Sequence, residues 1–138
     1  MRLALGLVLF LLAALPVNAA RLEARIDISD QQMTVTLDNR VIGVWPVSTA
    51  RAGKFTPVGL YYVQSMKRMH YSTLYHNAPM PWSIFFSGNF AIHGTNQISR
   101  LGTPASAGCV RLHPDDAETL YRTILDVGRR ETVIHITR

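Results

Sequence analysis

The chain has 138 residues, a formal net charge of +5 and 48% hydrophobic residues, which suits one domain with its own core and leaves too little for two. Charged residues make up 17%, and Gly and Pro number only 9 and 7, so a disordered chain and a collagen-like repeat are both excluded. The mild positive balance asks for no more than solubility, with attraction to an anionic polymer or lipid headgroup as the second reading. No basic run is interleaved with aromatics, so nucleic acid is not an expected partner.

Met1 and Arg2 open the chain, Leu3–Leu15 is an uncharged apolar run, and Pro16-Val17-Asn18-Ala19-Ala20 ends in small residues. That is the three-part layout of a secretory signal. The run is shorter than the roughly 20 residues a membrane-crossing helix needs. Residues 1–20 are therefore expected to be removed after Ala19 or Ala20, with a retained shallow anchor as the alternative. Residues 21–138 then form the single domain, with no stable membrane insertion after cleavage.

Strands dominate the rest of the chain. Ile26 and Ile28 alternate with polar residues over Arg25–Ser29, and Met33, Val35 and Leu37 do the same over Met33–Leu37; period two signals half-buried strands. Asp38-Asn39 is a hairpin turn signal, after which Val41–Val47 returns as a strand. Thr56-Pro57-Val58-Gly59 is a turn, and Leu60–Gln64 resumes an extended pattern. Met66–Pro81 carries Tyr, His and Pro without a clear period and is expected to be a long loop over the sheet. Ser83–Phe86 and Asn89–His93 are two short strands around Ser87-Gly88, and Asn96–Gly108 is a loop rich in Gly, Ser and Thr. One helix follows: Pro114 suits its first position, Asp115 and Asp116 suit its positive end, Ala117, Leu120, Tyr121, Ile124 and Leu125 form an apolar stripe, and Gly128 stops it. Glu131–Ile136 ends the chain as a strand. The expected fold is mainly β, a β-sandwich or partly closed barrel with one helix in the C-terminal half.

Chemistry concentrates between His93 and Arg111. An exported protein with one Cys cannot form an internal disulfide, so Cys109 is either an inert core residue or a used thiol. A nucleophilic thiol needs a base in hydrogen-bond reach, and paired imidazole or positive charge raises its ionised fraction. A strand ending at His93 and another starting at Cys109, joined by a long loop, bring the two together, which predicts a low-pKa thiolate. Gly94 and Gly108 beside them keep the backbone open for a substrate carbonyl and leave N–H groups free for an oxyanion.

The runs His93-Gly94-Thr95-Asn96, Leu101–Leu112 (LGTPASAGCVRL) and Asp115–Tyr121 (DDAETLY) resemble the L,D-transpeptidase catalytic domain, also called the YkuD domain, whose pattern is His-Gly, a loop, then Ser-x-Gly-Cys-x-Arg. The resemblance extends to Val47-Ser48-Thr49, Thr56-Pro57-Val58-Gly59 and Met80-Pro81-Trp82. It implies an exported, cofactor-free and metal-free cysteine enzyme acting on peptidoglycan stem peptides, with the periplasm as the expected location and the cell wall or extracellular space second. It implies Cys109 as nucleophile, forming a thioester, and His93 as base, its imidazole oriented by a backbone carbonyl. Gly94 matches the same motif, Gly108 is assigned to oxyanion donation, Ser106 to loop shape and Arg111 to carboxylate or loop anchoring. Trp82 is a candidate for the substrate groove, with a core position as its plainer reading, and Arg111 has pairing with Asp115 or Asp116 as its own. Many members carry His two residues before the Cys, where this chain has Ala107. His70, His76 and His113 are expected at the surface.

The outcome of the reaction is open at this level: an amine acceptor gives a cross-link or an attached protein, whereas water gives an L,D-carboxypeptidase. A non-catalytic wall-binding module would not need the His, Cys and Arg set. A zinc hydrolase lacks a compact ligand spacing, and a sortase would place its Cys after a different strand.

Overall fold

The computed structural model describes residues 21–138; the expected secretory signal lies outside the described residues. In chain order the elements are β1 (Leu22–Asp27), β2 (Gln32–Leu37), β3 (Arg40–Pro46), β4 (Gly59–Tyr62), β5 (Ser65–Tyr71), β6 (Pro79–Ser87), β7 (Phe90–Gly94), β8 (Val110–Leu112), α1 (Pro114–Val127) and β9 (Thr132–Thr137). Short 3₁₀ turns occupy Ile98–Arg100 and Arg129–Glu131.

The strands form two sheets, a five-stranded one in the order β3-β2-β1-β9-β4 and a four-stranded one in the order β5-β6-β7-β8. Alternation explains the inner face of the first. Leu22, Ala24 and Ile26 on β1, Met33 and Val35 on β2, and Ile134 and Ile136 on β9 are buried, while the residues between them face outward. Ile84 and Phe86 of β6, Ile92 of β7, and Val110 and Leu112 of β8 meet them from the second sheet in one continuous core. Each such side chain contributes about 1.5–3 kcal/mol on leaving water. This is the expected sandwich, and its partial closure is visible at residues 47–50. After β3 the chain leaves the first sheet and pairs with the second, with Ser48 and Arg111 exchanging N–H···O bonds at 3.0 and 2.9 Å.

The β2–β3 hairpin turns at Asp38 and Asn39, both with positive φ (46° and 65°), the geometry that matches the right-handed twist of the flanking strands. The helix starts at Pro114 and is capped by His113, whose Nδ1 accepts the Asp115 N–H at 3.1 Å. Ala117, Leu120, Tyr121 and Ile124 are buried and α1 packs on β6 and β7. Leu125, expected in the apolar stripe, is instead 62% exposed. Its place in the turn is one step off the buried face, which Val127 joins from the last turn.

One expectation is corrected. Met66–Pro81 is not a long loop: its first part is β5, its last residues begin β6, and only residues 72–78 connect them. The strand is hidden in the sequence because β5 is an edge strand with both faces largely in solvent, so period-two patterning is never imposed on it. Pro79 and Pro81 stand at the start of β6, where the ladder tolerates a missing donor, and Trp82 with φ 56° interrupts the regular pleat.

Candidate active site

The parallel pair β7–β8 builds the site. Its register sets Ile92 beside Val110, His93 beside Arg111 and Gly94 beside Leu112. Ile92, Val110 and Leu112 point into the core, so His93 and Arg111 point the other way. Cys109 stands in the bend just before β8, two residues ahead of Arg111. His93 from β7 and Cys109 from that bend come to one place. Both side chains open on one cavity of about 370 Å³, which Arg51, His70, Phe85 and Gln97 also line.

His93 is 7% exposed and its Nδ1 lies 2.7 Å from Gly94 O. A carbonyl only accepts, so Nδ1 carries the proton and Nε2 keeps its lone pair. Gly94 allows this because the chain passes tightly there: a Cβ would stand 3.1 Å from both Pro114 Cα and Pro81 Cγ. Burial pulls the imidazole down to about 4, with Arg111 and His70 adding to the fall and the Gly94 hydrogen bond opposing it. Burial also pushes the Cys109 thiol up, against weaker pulls from an Ala91 backbone hydrogen bond and Arg111. The thiol donates to Asn89 O at 3.7 Å. Both shifts run against the expected low-pKa thiolate and favour a neutral thiol beside a neutral imidazole, because desolvation of both outweighs the nearby positive charge.

The turn before Cys109 is held by side chains. Ser106 Oγ accepts the Gly108 N–H at 3.0 Å and donates to Cys109 O at 2.6 Å. Ser106 is therefore a loop-shaping residue, as its motif position implies. The Gly108 N–H is consumed in that contact, so the expected oxyanion donation does not fall to it. Gly108 is required for another reason: its φ is +144°, and a Cβ would lie 2.6 Å from Phe90 Cε1 and 2.9 Å from Phe55 O. The Cys109 N–H has no acceptor among the described residues. Behind the turn, Thr49 O accepts both Ala105 N–H and Ser106 N–H at 2.9 Å. Thr49 is fixed in turn by buried Gln31, whose amide reaches Thr49 Oγ1 at 2.6 Å and accepts its N–H at 3.0 Å.

Arg111 donates to Gln97 Oε1 at 3.1 Å. The arginine ion pairs of the described residues are Arg21–Asp38 and Arg122–Glu118, so Arg111 pairs with neither Asp115 nor Asp116. Burial lowers its pKa, with Cys109 opposing the fall and nearby Arg51 and Arg100 adding to it. Trp82 is not brought to the cavity. The guanidinium groups of Arg68 and Arg122 both lie over its ring, at 5.2 and 5.3 Å, and the ring meets Tyr121 of the helix edge-on at 5.3 Å. His70, expected at the surface, lines the cavity and meets Phe85 edge-on at 5.1 Å. Like Arg51, it lies outside the sequence motif and gives no signal there.

A family model of the L,D-transpeptidase catalytic domain, YkuD, matches residues 22–135, nearly the whole described chain and all of the site. The chain belongs to this family. Among curated relatives, the Bacillus subtilis (strain 168) protein named L,D-transpeptidase YkuD is 29% identical over 112 residues, covering 78% of this chain and 63% of the relative. The protein of the same organism named L,D-transpeptidase YqjB is 31% identical over 112 residues, covering 72% and 63%. The chain thus spans less than two thirds of these relatives. A solved L,D-transpeptidase from Mycobacterium tuberculosis H37Rv superposes with a TM-score of 0.78 at 23% identity, over 86% of this chain and 58% of that one, a likeness of fold. The mainly β architecture with one helix is that of the family.

Proposed function

We propose that this chain is a cysteine-dependent L,D-transpeptidase acting on peptidoglycan stem peptides. The observation that carries the reading is that Cys109, in the bend just before β8, and His93, on the neighbouring parallel strand β7, line one cavity, with His93 Nδ1 engaged by Gly94 O and Nε2 left as base. Family membership supplies the reaction class.

The substrate is a tetrapeptide stem whose third, L-centred residue is joined to a terminal D-residue. Cys109 Sγ attacks the carbonyl carbon of that bond while His93 Nε2 takes the thiol proton. The S–C bond forms and the carbonyl oxygen becomes an oxyanion, met by the Cys109 N–H. Collapse breaks the C–N bond, His93 returns the proton to the departing amine, and a thioester remains. An acceptor amine then attacks the thioester and passes its proton to His93, which restores the Cys109 thiol as it leaves. Because both partners rest neutral, the proton moves during attack rather than beforehand, the general-base form of thiol catalysis. Arg111 and Arg51, without carboxylate partners among the described residues, supply positive charge for the stem's carboxylates.

Incubation of the protein and Cys109→Ala with purified disaccharide tetrapeptides, resolved by liquid chromatography and mass spectrometry, tests this. Dimers that require Cys109 are expected. Cys109-dependent tripeptides without dimers would replace transfer by hydrolysis, and unaltered tetrapeptide would overturn the reading. The same reading puts the protein in the periplasm, checked by fractionating cells that express the full chain.

A further inference from the structure

Thr56 lies 52 positions before Gly108 in sequence, on the segment after the Lys54–Arg51 turn, and is buried at 6% exposure. Its hydroxyl accepts the Ala50 N–H at 3.0 Å and sits 2.8 Å from Gly108 O. A hydroxyl has one proton, and an N–H occupies its acceptor side, so that proton goes to Gly108 O. The neighbouring Phe55 ring packs on Phe90 at 5.4 Å, which ties the same segment to β7 beside the nucleophile.

Gly108 O and the Cys109 N–H belong to one peptide plane and point in opposite directions along it. Whatever holds the carbonyl therefore aims the amide. Around this plane three of the four nearest backbone groups are committed: Gly108 N–H to Ser106, Gly108 O to Thr56 and Cys109 O to Ser106. The Cys109 N–H is the group left over, facing away from Thr56 at the cavity that Gly108 and Cys109 both line. Gly108, at φ +144° and with no room for a Cβ, offers no side chain that would hold the plane by itself.

We propose that Thr56 is a positioning residue for the acyl-transfer reaction: its hydroxyl clamps the Gly108–Cys109 peptide and so aims the Cys109 N–H at the developing oxyanion. The inference rests on the acyl-transfer reading above and deepens it. Thr56 does not line the cavity, and its hydroxyl bonds are to Ala50 N–H and Gly108 O. An oxyanion appears during attack on a carbonyl but not when a thiol displaces iodide from iodoacetamide, so the two reactions separate aiming of the amide from general damage to the nucleophile.

The test measures kcat and KM for disaccharide tetrapeptide, and the rate of Cys109 alkylation by iodoacetamide, in the wild-type protein, Thr56→Val and Thr56→Ser. Removing one oxyanion donor outright lowers kcat by about 10²–10³, so misaiming it in Thr56→Val is expected to lower kcat by roughly 10- to 100-fold. KM and the alkylation rate stay at wild-type values, the pattern of an interaction made only in the transition state. Thr56→Ser, which keeps the hydroxyl, restores kcat. Wild-type kcat in folded Thr56→Val, or an alkylation rate that falls in step with kcat, overturns the inference. Should Thr56→Val fail to fold by circular dichroism, Thr56→Ser decides: retained kcat supports the clamp, and lost kcat with normal alkylation overturns it. A wild-type protein with no Cys109-dependent turnover overturns the acyl-transfer reading, and this inference falls with it, whereas active wild type with an indifferent Thr56→Val removes the clamp alone.

Discussion

His93 and Cys109 are shifted in opposite directions by the same cause, loss of water, and the two shifts together keep the pair neutral. The acid limb of kcat/KM is therefore expected near pH 4, where buried His93 gains its proton, rather than near the imidazole's ordinary value of about 6.5. Iodoacetamide alkylation of the free protein should likewise rise only above the thiol's ordinary range, since burial raises Cys109. A thiolate titrating well below that range would contradict the assignment. His93→Ala is expected to keep the fold and lose about 10²- to 10⁴-fold in kcat, the usual worth of a positioned base. Gly108→Ala forces a Cβ against Phe90 and Phe55 O at a positive φ. It should reduce stability by about 1–3 kcal/mol and abolish turnover together, read by thermal melts and product analysis.

Elements differ in how plainly their sequence announces them. β1, β2 and β9 each bury one face and leave the other wet, and their alternation is legible, although β1 starts earlier than Ile26 and Ile28 suggest, at Leu22. The β2–β3 turn is legible in Asp38-Asn39, since those residues tolerate the positive φ it needs. β5 is not legible, because its hydrogen bonds to β6 are made by backbone and its side chains mostly face solvent. The helix is legible from Pro114 to Gly128, but its cap is unusual: a histidine ring nitrogen, not a hydroxyl or carboxylate, accepts the Asp115 N–H. His113→Ala should lower stability by about 1 kcal/mol without changing the rate of Cys109 alkylation; a changed alkylation rate would show that the helix start is coupled to the site.

At the scale of the molecule, the site is where the two sheets are joined. The crossing residues 47–50 pair with Arg111 and with Ser106, and Gln31, from the turn between β1 and β2, braces them. The motif residues His93, Gly94, Ser106, Gly108, Cys109 and Arg111 can be read from the sequence because they sit in two short runs. Arg51, Gln31 and His70 cannot, because each arrives from a distant segment and none has a distinctive local pattern; Thr56 stands in the family-like run Thr56-Pro57-Val58-Gly59, but its hydrogen bond to Gly108 O, 52 positions on, shows only in the fold. Trp82 shows the reverse case, a residue inside a family-like run that folding turns toward Arg68, Arg122 and the helix instead of the cavity.

Folding is linked to protons through the same buried histidine. His93 is depressed to about 4 in the fold, so the unfolded chain binds its proton more readily. Stability is therefore undiminished by this group above about pH 6.5 and falls as pH drops toward 4, by on the order of 3 kcal/mol in all. Denaturant titrations should show a smaller loss over this window in His93→Gln than in wild type.

The central claim is that Cys109, served by His93, carries the acyl group. Intact-protein mass spectrometry of the wild type, Cys109→Ala and His93→Ala after mixing with disaccharide tetrapeptide reads this directly. The expected result is a wild-type adduct equal in mass to the stem minus its terminal D-residue, located on Cys109 by peptide mapping, absent in Cys109→Ala and slow to form in His93→Ala. An adduct that persists in Cys109→Ala, or one that forms at the wild-type rate in His93→Ala, would contradict it.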